Sequence, residues 1–321
     1  MPIMIANPPV TRRSNAYFIP YPDHPQCGTL LNSGNWTDQP VPLVDECDEK
    51  TPYASCNIEA IRRWKWGELA QKCGVQLFNP DAAKKLLASR WVACVGDSIA
   101  RNICASIMKL IGAPPSAFVF ERHSDFERNI STTIPAAGET KSSRGDESGQ
   151  VRVTFHWQPF PQNASNALLE WKHDKKPALI ITSSTLWHML HIRDQKLFGS
   201  DMTSLAAITS DMMPKLPEVP NPVAVLAVGT EVHAERLLSA EKRVAMTSEA
   251  VDSYNKALQK AEILAPLGPF GMLDMFSITY GCGIGCSVDG IHSQPQVYDA
   301  ATQIVLNMFK QCAGKGAECW A

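Results

Sequence analysis

No stretch of this 321-residue chain approaches the roughly 18 consecutive apolar residues that a membrane-crossing helix requires, so no span is expected. Its first residues, Met1-Pro2-Ile3-Met4, lack a basic region followed by an apolar one, so no leader is expected there either. A surplus of one charge is also missing. Thirty Lys and Arg stand against 32 Asp and Glu, a formal net charge of −2, with no long run of either sign. That removes the basic footprint of a nucleic-acid binder and points to a neutral partner. There is no internal repeat, no Cys-x-x-Cys pair and no cysteine between 105 and 281, which disfavours a structural metal site.

What is present is enough apolar matter for a core: 45% of residues are hydrophobic and 19% charged, which excludes a disordered or fibrous chain. We expect one domain, with an N-terminal extension over residues 1–80 and a core over 81–321. The extension is rich in Pro, Cys and Trp and short of periodicity, so it reads as an irregular layer tied down by disulfides. Ten cysteines is a high, even number, and eight of them lie at the two ends of the chain, as staples would. Cys94 and Cys104 fall inside an apolar strand and helix, either as buried thiols or as a pair. Cys282 and Cys286 read as disulfide partners. The sequons at Asn35, Asn129 and Asn163 fit a secretory route.

Pro80-Asp81 opens a helix over Ala82–Ala88. The run Trp91-Val92-Ala93-Cys94-Val95 is short, continuous and apolar, as a strand buried on both faces is; it ends at Gly96-Asp97-Ser98 before a helical pattern, Ile99–Ile111. Further strands are expected over Val151–Trp157, Ala178–Thr182 and Val223–Val228, and helices over Ser248–Leu264 and Val297–Gln311. Such alternation predicts an α/β fold with a parallel, doubly wound sheet. Gly138–Gln150 holds no apolar side chain and reads as a solvated loop.

Two motifs can carry chemistry. A serine on the turn between a buried strand and a helix stands before free backbone N–H groups, which can hold an oxyanion while the hydroxyl attacks a carbonyl. Plain helix capping by Asp97 or Ser98 is the competing reading. Late in the chain, Asp289-Gly290-Ile291-His292 can supply a base and the carboxylate that orients it. His188 and His191 are read as partly exposed rings on one helix face rather than as ligands, and no cofactor or metal is expected. Trp64, Trp66, Trp157 and Trp187 suit the core, and one or two at strand ends suit a sugar ring.

Taken in order, Gly96-Asp97-Ser98 with Arg101-Asn102 and the late Asp289-Gly290-Ile291-His292 resemble the GDSL/SGNH hydrolases. More narrowly the chain resembles the PC-esterase group, which comprises the trichome birefringence-like polysaccharide O-acetyltransferases and the luminal domain of the sialate O-acetyltransferases. The likeness extends to Cys27–Trp36, Cys56, Trp64-Lys65-Trp66, Cys73, Phe78-Asn79, His156–Phe160, Tyr254-Asn255, and Cys312 with Cys319-Trp320. It implies a three-layer α/β/α sandwich and a Ser98–His292–Asp289 triad. It also implies acyl-ester chemistry with a glycan acceptor and a small acyl donor in the secretory pathway, in the Golgi lumen or outside the cell. Asp97 then fixes the turn, and Arg101, one turn past Ser98, either faces the site or is solvated. One departure stands out: the segment Ala178–Leu190 carries no Asn for the oxyanion hole. Ser183–His188 takes that place, leaving Gly96, the Ser98 N–H and Ser184 as candidates for the hole and Trp187 as a substrate contact. An acetylesterase and a catalytically silent glycan-binding module are the alternatives to a transferase.

Overall fold

In a computed structural model, the residues described are 31–39, 61–132, 149–172, 176–213, 222–265 and 267–313. A six-stranded sheet lies at the centre. Its strands are β3 (Trp91–Gly96), β4 (Phe126–Ser131), β5 (Gln150–Trp157), β6 (Leu179–Ser183), β7 (Val223–Ala227) and β8 (Phe270–Leu273), in the order β4-β5-β3-β6-β7-β8. All pairs are parallel except β4 with β5. The β5-β3-β6 order puts β3 where the chain, having laid a strand on one side, crosses to the other, and such switch points open a crevice at the strands' C-terminal ends. Every residue of β3, β6, β7 and β8 is buried, which accounts for their largely apolar sequences, broken only at the end of β6 by Thr182 and Ser183. β4 alternates buried Phe126 and Ile130 with exposed Glu127 and Asn129, as an edge strand facing water on one side does.

Ten helices are described: α1 (Glu68–Lys72), α2 (Pro80–Leu87), α3 (Ser98–Leu110), α4 (Pro161–Lys172), α5 (Thr185–His191), α6 (Gln195–Met212), α7 (Ala240–Ala245), α8 (Ser248–Lys260), α9 (Met275–Cys282) and α10 (Pro295–Cys312). Among them α10 packs with α3 and α9, and α6 packs with α4 and α8. Ser106 and Lys109 of α3 hold Asp299 of α10 at 2.7 and 2.9 Å. No helix among the described residues is long and apolar enough to cross a membrane.

The described part of the N-terminal 80 residues is more regular than expected. β1 (Asn35–Gln39) and β2 (Ile61–Lys65) pair antiparallel, with Trp36 directly opposite Trp64 and their rings in edge-on contact at 5.4 Å. A cross-strand aromatic pair of this kind holds a hairpin that its polar neighbours would not. Trp36 Nε1 donates to Ile278 O at 2.9 Å, Asn32 bonds Met272 O and Asp274 N, and Arg62 reaches Cys282 O at 2.6 Å. The segment therefore braces β8 and α9. Asn79 caps α2 by accepting from Ala82 N–H, and Pro80 and Asp81 fall in its first turn.

The helix expected to reach Leu264 stops at Lys260; Glu262 takes a left-handed φ of 54° and Leu264 bridges to Phe270. Cys94 and Cys104 form a disulfide, as do Cys282 and Cys286; Cys73 and Cys312 are each engaged in a disulfide. Cys27, Cys47, Cys56, Cys319 and most of the 138–150 loop lie outside the described residues.

Candidate active site

The turn after β3 is built around Gly96, whose φ of 141° and contact with β6 admit no side chain: a Cβ there would lie 2.0 Å from Ser183 O. Asp97 N–H donates to that same carbonyl at 3.1 Å. The Asp97 carboxylate is buried. Its Oδ1 accepts from Ile99 N–H at 2.9 Å and from the Ser183 hydroxyl at 2.5 Å, and the Ser183 oxygen in turn accepts from Ala100 N–H at 3.0 Å. Burial pushes the Asp97 carboxyl above the usual carboxylate range, and these hydrogen bonds offset only part of the rise. Asp97 is thus an N-cap that bolts the turn to the neighbouring strand. Ser183, which sequence reasoning did not single out, completes the bolt, and only the pairing of Gly96 with Ser183 reveals it.

Ser98 follows as the first residue of α3, with its hydroxyl 2.7 Å from His292 Nε2. His292 Nδ1 lies 2.8 Å from Asp289 Oδ2. The second carboxylate oxygen, Oδ1, accepts from the backbone N–H groups of Ile291 and His292 at 3.0 and 2.8 Å. Burial alone would raise the Asp289 carboxyl; the side-chain bond and charge of His292 and the two N–H groups outweigh it and hold it well below the usual carboxylate range. The loop is shaped by Gly290, at φ 91°, where a Cβ would meet His233 O at 2.7 Å. Behind it, the Cys282–Cys286 link and the Gln294 N–H bond to Cys286 O fix the approach to α10. Tyr298 accepts from Ser293 N–H at 3.2 Å, and burial pushes its hydroxyl up to about 12, so it stays protonated. A row of this kind can pass the serine proton to the imidazole while the carboxylate stabilises the resulting cation.

The remaining candidates fall around that row. Ser184, at the end of β6, is buried and its hydroxyl has no protein partner among the described residues. Arg101 is not a solvated helix residue: its Nε is buried and its guanidinium carbon sits 5.8 Å from the Trp157 ring centre. Trp187 lies on α5 rather than on a strand extension, because the chain turns helical at Thr185. Its ring meets Trp157 edge-on at 5.3 Å. Trp64 and Trp66 are core residues.

The chain is similar to Protein ALTERED XYLOGLUCAN 9 of Arabidopsis thaliana. The two are 26% identical over 301 residues, which span 88% of this chain and 77% of the relative. No model of a protein family matches the chain. The aligned span is long enough to include both the Ser98 turn and core strands on either side of it.

His188 corrects the expectation of an exposed ring. It is fully buried, with Nδ1 3.2 Å from the Tyr254 hydroxyl and Nε2 unpartnered among the described residues, while His191 is exposed. Burial holds the His188 ring below the ordinary histidine value of 6.5, against the opposing pull of Asp201 and Asp194. The unfolded chain takes up this proton near 6.5 and the folded one only at lower pH. The stability tied to a neutral His188 is therefore complete above 6.5 and is lost as pH falls through the folded value. Thermal melts at about pH 7.5 and about pH 5 should show a fall in Tm that is smaller in His188→Gln; an equal fall in both proteins would remove His188 as the cause.

Proposed function

We propose that the protein is a serine-dependent O-acetyltransferase that forms acetyl esters on glycan hydroxyls, of the trichome birefringence-like kind within the PC-esterase group. The observation that carries the reading is the hydrogen-bonded row Ser98, His292, Asp289 at the C-terminal end of the central parallel strand. Its support is a relative, named for altered xyloglucan, whose similarity runs over most of the chain. A three-layer SGNH sandwich, with residues 1–80 packed on a core of 81–321, is part of the same reading. So is residence in the Golgi lumen or outside the cell, which the disulfides and the exposed Asn35, Asn129 and Asn163 favour.

In the first half-reaction His292 Nε2 takes the Ser98 proton as Oγ attacks the acetyl carbonyl. The tetrahedral oxyanion is met by the Ser98 N–H, at the open N-terminal end of α3, and by the unpartnered Ser184 hydroxyl. The leaving group departs with the proton held on His292, leaving acetyl-Ser98. In the second half a sugar hydroxyl gives its proton to His292, attacks the acetyl-serine and leaves as the ester, and Ser98 recovers its proton. Asp289, held ionised, stabilises the imidazolium in both halves.

Water in place of the sugar makes the same site an acetylesterase, and the row has no geometric preference between them. Incubation with an activated acetyl ester and an oligosaccharide panel, followed by mass analysis, separates the outcomes. Acetylated oligosaccharide is the expected product; free acetate alone indicates the esterase, and no consumption of the ester at all rejects acyl chemistry at Ser98.

A further inference from the structure

Trp157 stands in register beside Gly96 at the end of β5, and Trp187 follows β6 by four residues, so two rings from opposite sides of β3 meet next to the Ser98 turn. His123, from the loop before β4, stacks on Trp157 at 4.3 Å and meets Trp187 edge-on at 5.2 Å. Its backbone has a left-handed φ of 63°, a costly conformation for a residue with a side chain and one that concentrates at binding sites. The three rings are partly or largely exposed and form a wall.

Arg101 is the cation packed against the wall, and Arg122 lies near His123 as well. Arg101 sits against Trp157 and, among the described residues, has no carboxylate partner, with its Nε buried and unbonded. Asp125, two residues from His123 along the same loop, is already occupied: Oδ1 accepts from Trp157 N–H at 2.7 Å and Oδ2 lies 3.4 Å from His156 Nδ1. Partial burial first, then the charges of Arg122 and Arg101, hold His123 below the ordinary histidine range, so it presents a neutral ring beside two guanidiniums.

We propose that the corner formed by Arg101, His123, Trp157 and Trp187 is the acceptor subsite and that it takes a uronic-acid residue of the glycan, the rings packing on the pyranose and Arg101 binding its carboxylate. This rests on the reading of the protein as glycan-acting, and it replaces the neutral partner suggested by the net charge with an acidic one, because the cation that matters is local. A planar guanidinium pairs a carboxylate with two parallel hydrogen bonds, and a neutral hydroxymethyl group in its place leaves that donor fork unmet.

The test is a titration of intrinsic tryptophan fluorescence in the intact 321-residue chain with cellobiouronic acid and with cellobiose, which differ only by carboxylate against hydroxymethyl. The uronide should bind at least about ten-fold more tightly; Arg101→Gln should bring the two within about two-fold, with Arg101→Lys in between. Equal affinities in the unmodified protein, a preference that survives Arg101→Gln, or an equal fluorescence response to inorganic phosphate would each overturn the proposal. If Arg101→Gln fails to fold, the comparison in the unmodified chain still decides. The titration needs no turnover, so failure of Ser98 to react with a fluorophosphonate would end the acyl-transfer reading while leaving the binding result to stand or fall by itself.

Discussion

Ser98→Ala is expected to lower kcat/KM toward an activated acetyl ester by at least about a thousand-fold and to abolish labelling by a fluorophosphonate, with the melting temperature nearly unchanged. The substitution removes one oxygen from a small buried side chain and leaves the Asp97 cap and its bond to Ile99 intact. His292→Ala should be comparably damaging, since the hydroxyl then has no base at 2.7 Å. Asp289→Asn should be no worse than His292→Ala, because a base remains but in a poorly fixed tautomer. Full activity in Ser98→Ala would move the chemistry elsewhere. Wild-type labelling in both His292→Ala and Asp289→Asn would make the row a structural contact.

Gly96→Ala carries the largest expected effect on folding. The new methyl would lie 2.0 Å from Ser183 O and 2.9 Å from Ser183 N, both backbone atoms of the adjacent strand, and φ would have to remain at 141°. Relief requires β3 and β6 to part where Asp97 and Ser183 hold them together. A loss of about 4 kcal/mol or more follows, enough to unfold a marginal domain, and urea titration should show it or the variant should fail to express in soluble form. Gly199→Ala is the comparison: it lies inside α6 with open space around it, and gains helix propensity of up to about 1 kcal/mol. Near-equal urea midpoints for the two variants would show that the close approach at Gly96 is not felt.

Parallel strands of five or more residues buried on both faces were legible, because the sequence is then largely apolar, as at Trp91–Val95 and Val223–Ala227. β4 was not, because Phe-Glu-Arg-Asn-Ile-Ser puts charge and polarity on one face of a sheet edge and offers only Phe126 and Ile130 to the core. β8 escaped notice by its length of four and its Gly-Pro lead. The hairpin of β1 and β2 depends on a Trp–Trp pair, Trp36 with Trp64, that no local pattern contains. At the site, Asp289 and His292 could be linked on paper since one short turn holds both. His123 and Ser183 could not, because their partners are set by tertiary register: a ring from the 119–125 loop laid on the end of β5, and a hydroxyl brought under Asp97 by the β3–β6 pairing. His188 was misplaced because the helix rotation that buries it against Tyr254 is fixed by packing with α8 rather than by its own neighbours.

Ser98 and His292 are 194 residues apart in the chain. During synthesis the polypeptide emerges from its N-terminal end, so the turn bearing the hydroxyl is made long before the loop bearing the imidazole. A nascent or C-terminally truncated product therefore holds a serine with no base beside it. On the proposed reading, acyl chemistry at Ser98 would begin only after His292 has been made, so unfinished copies would stay chemically quiet.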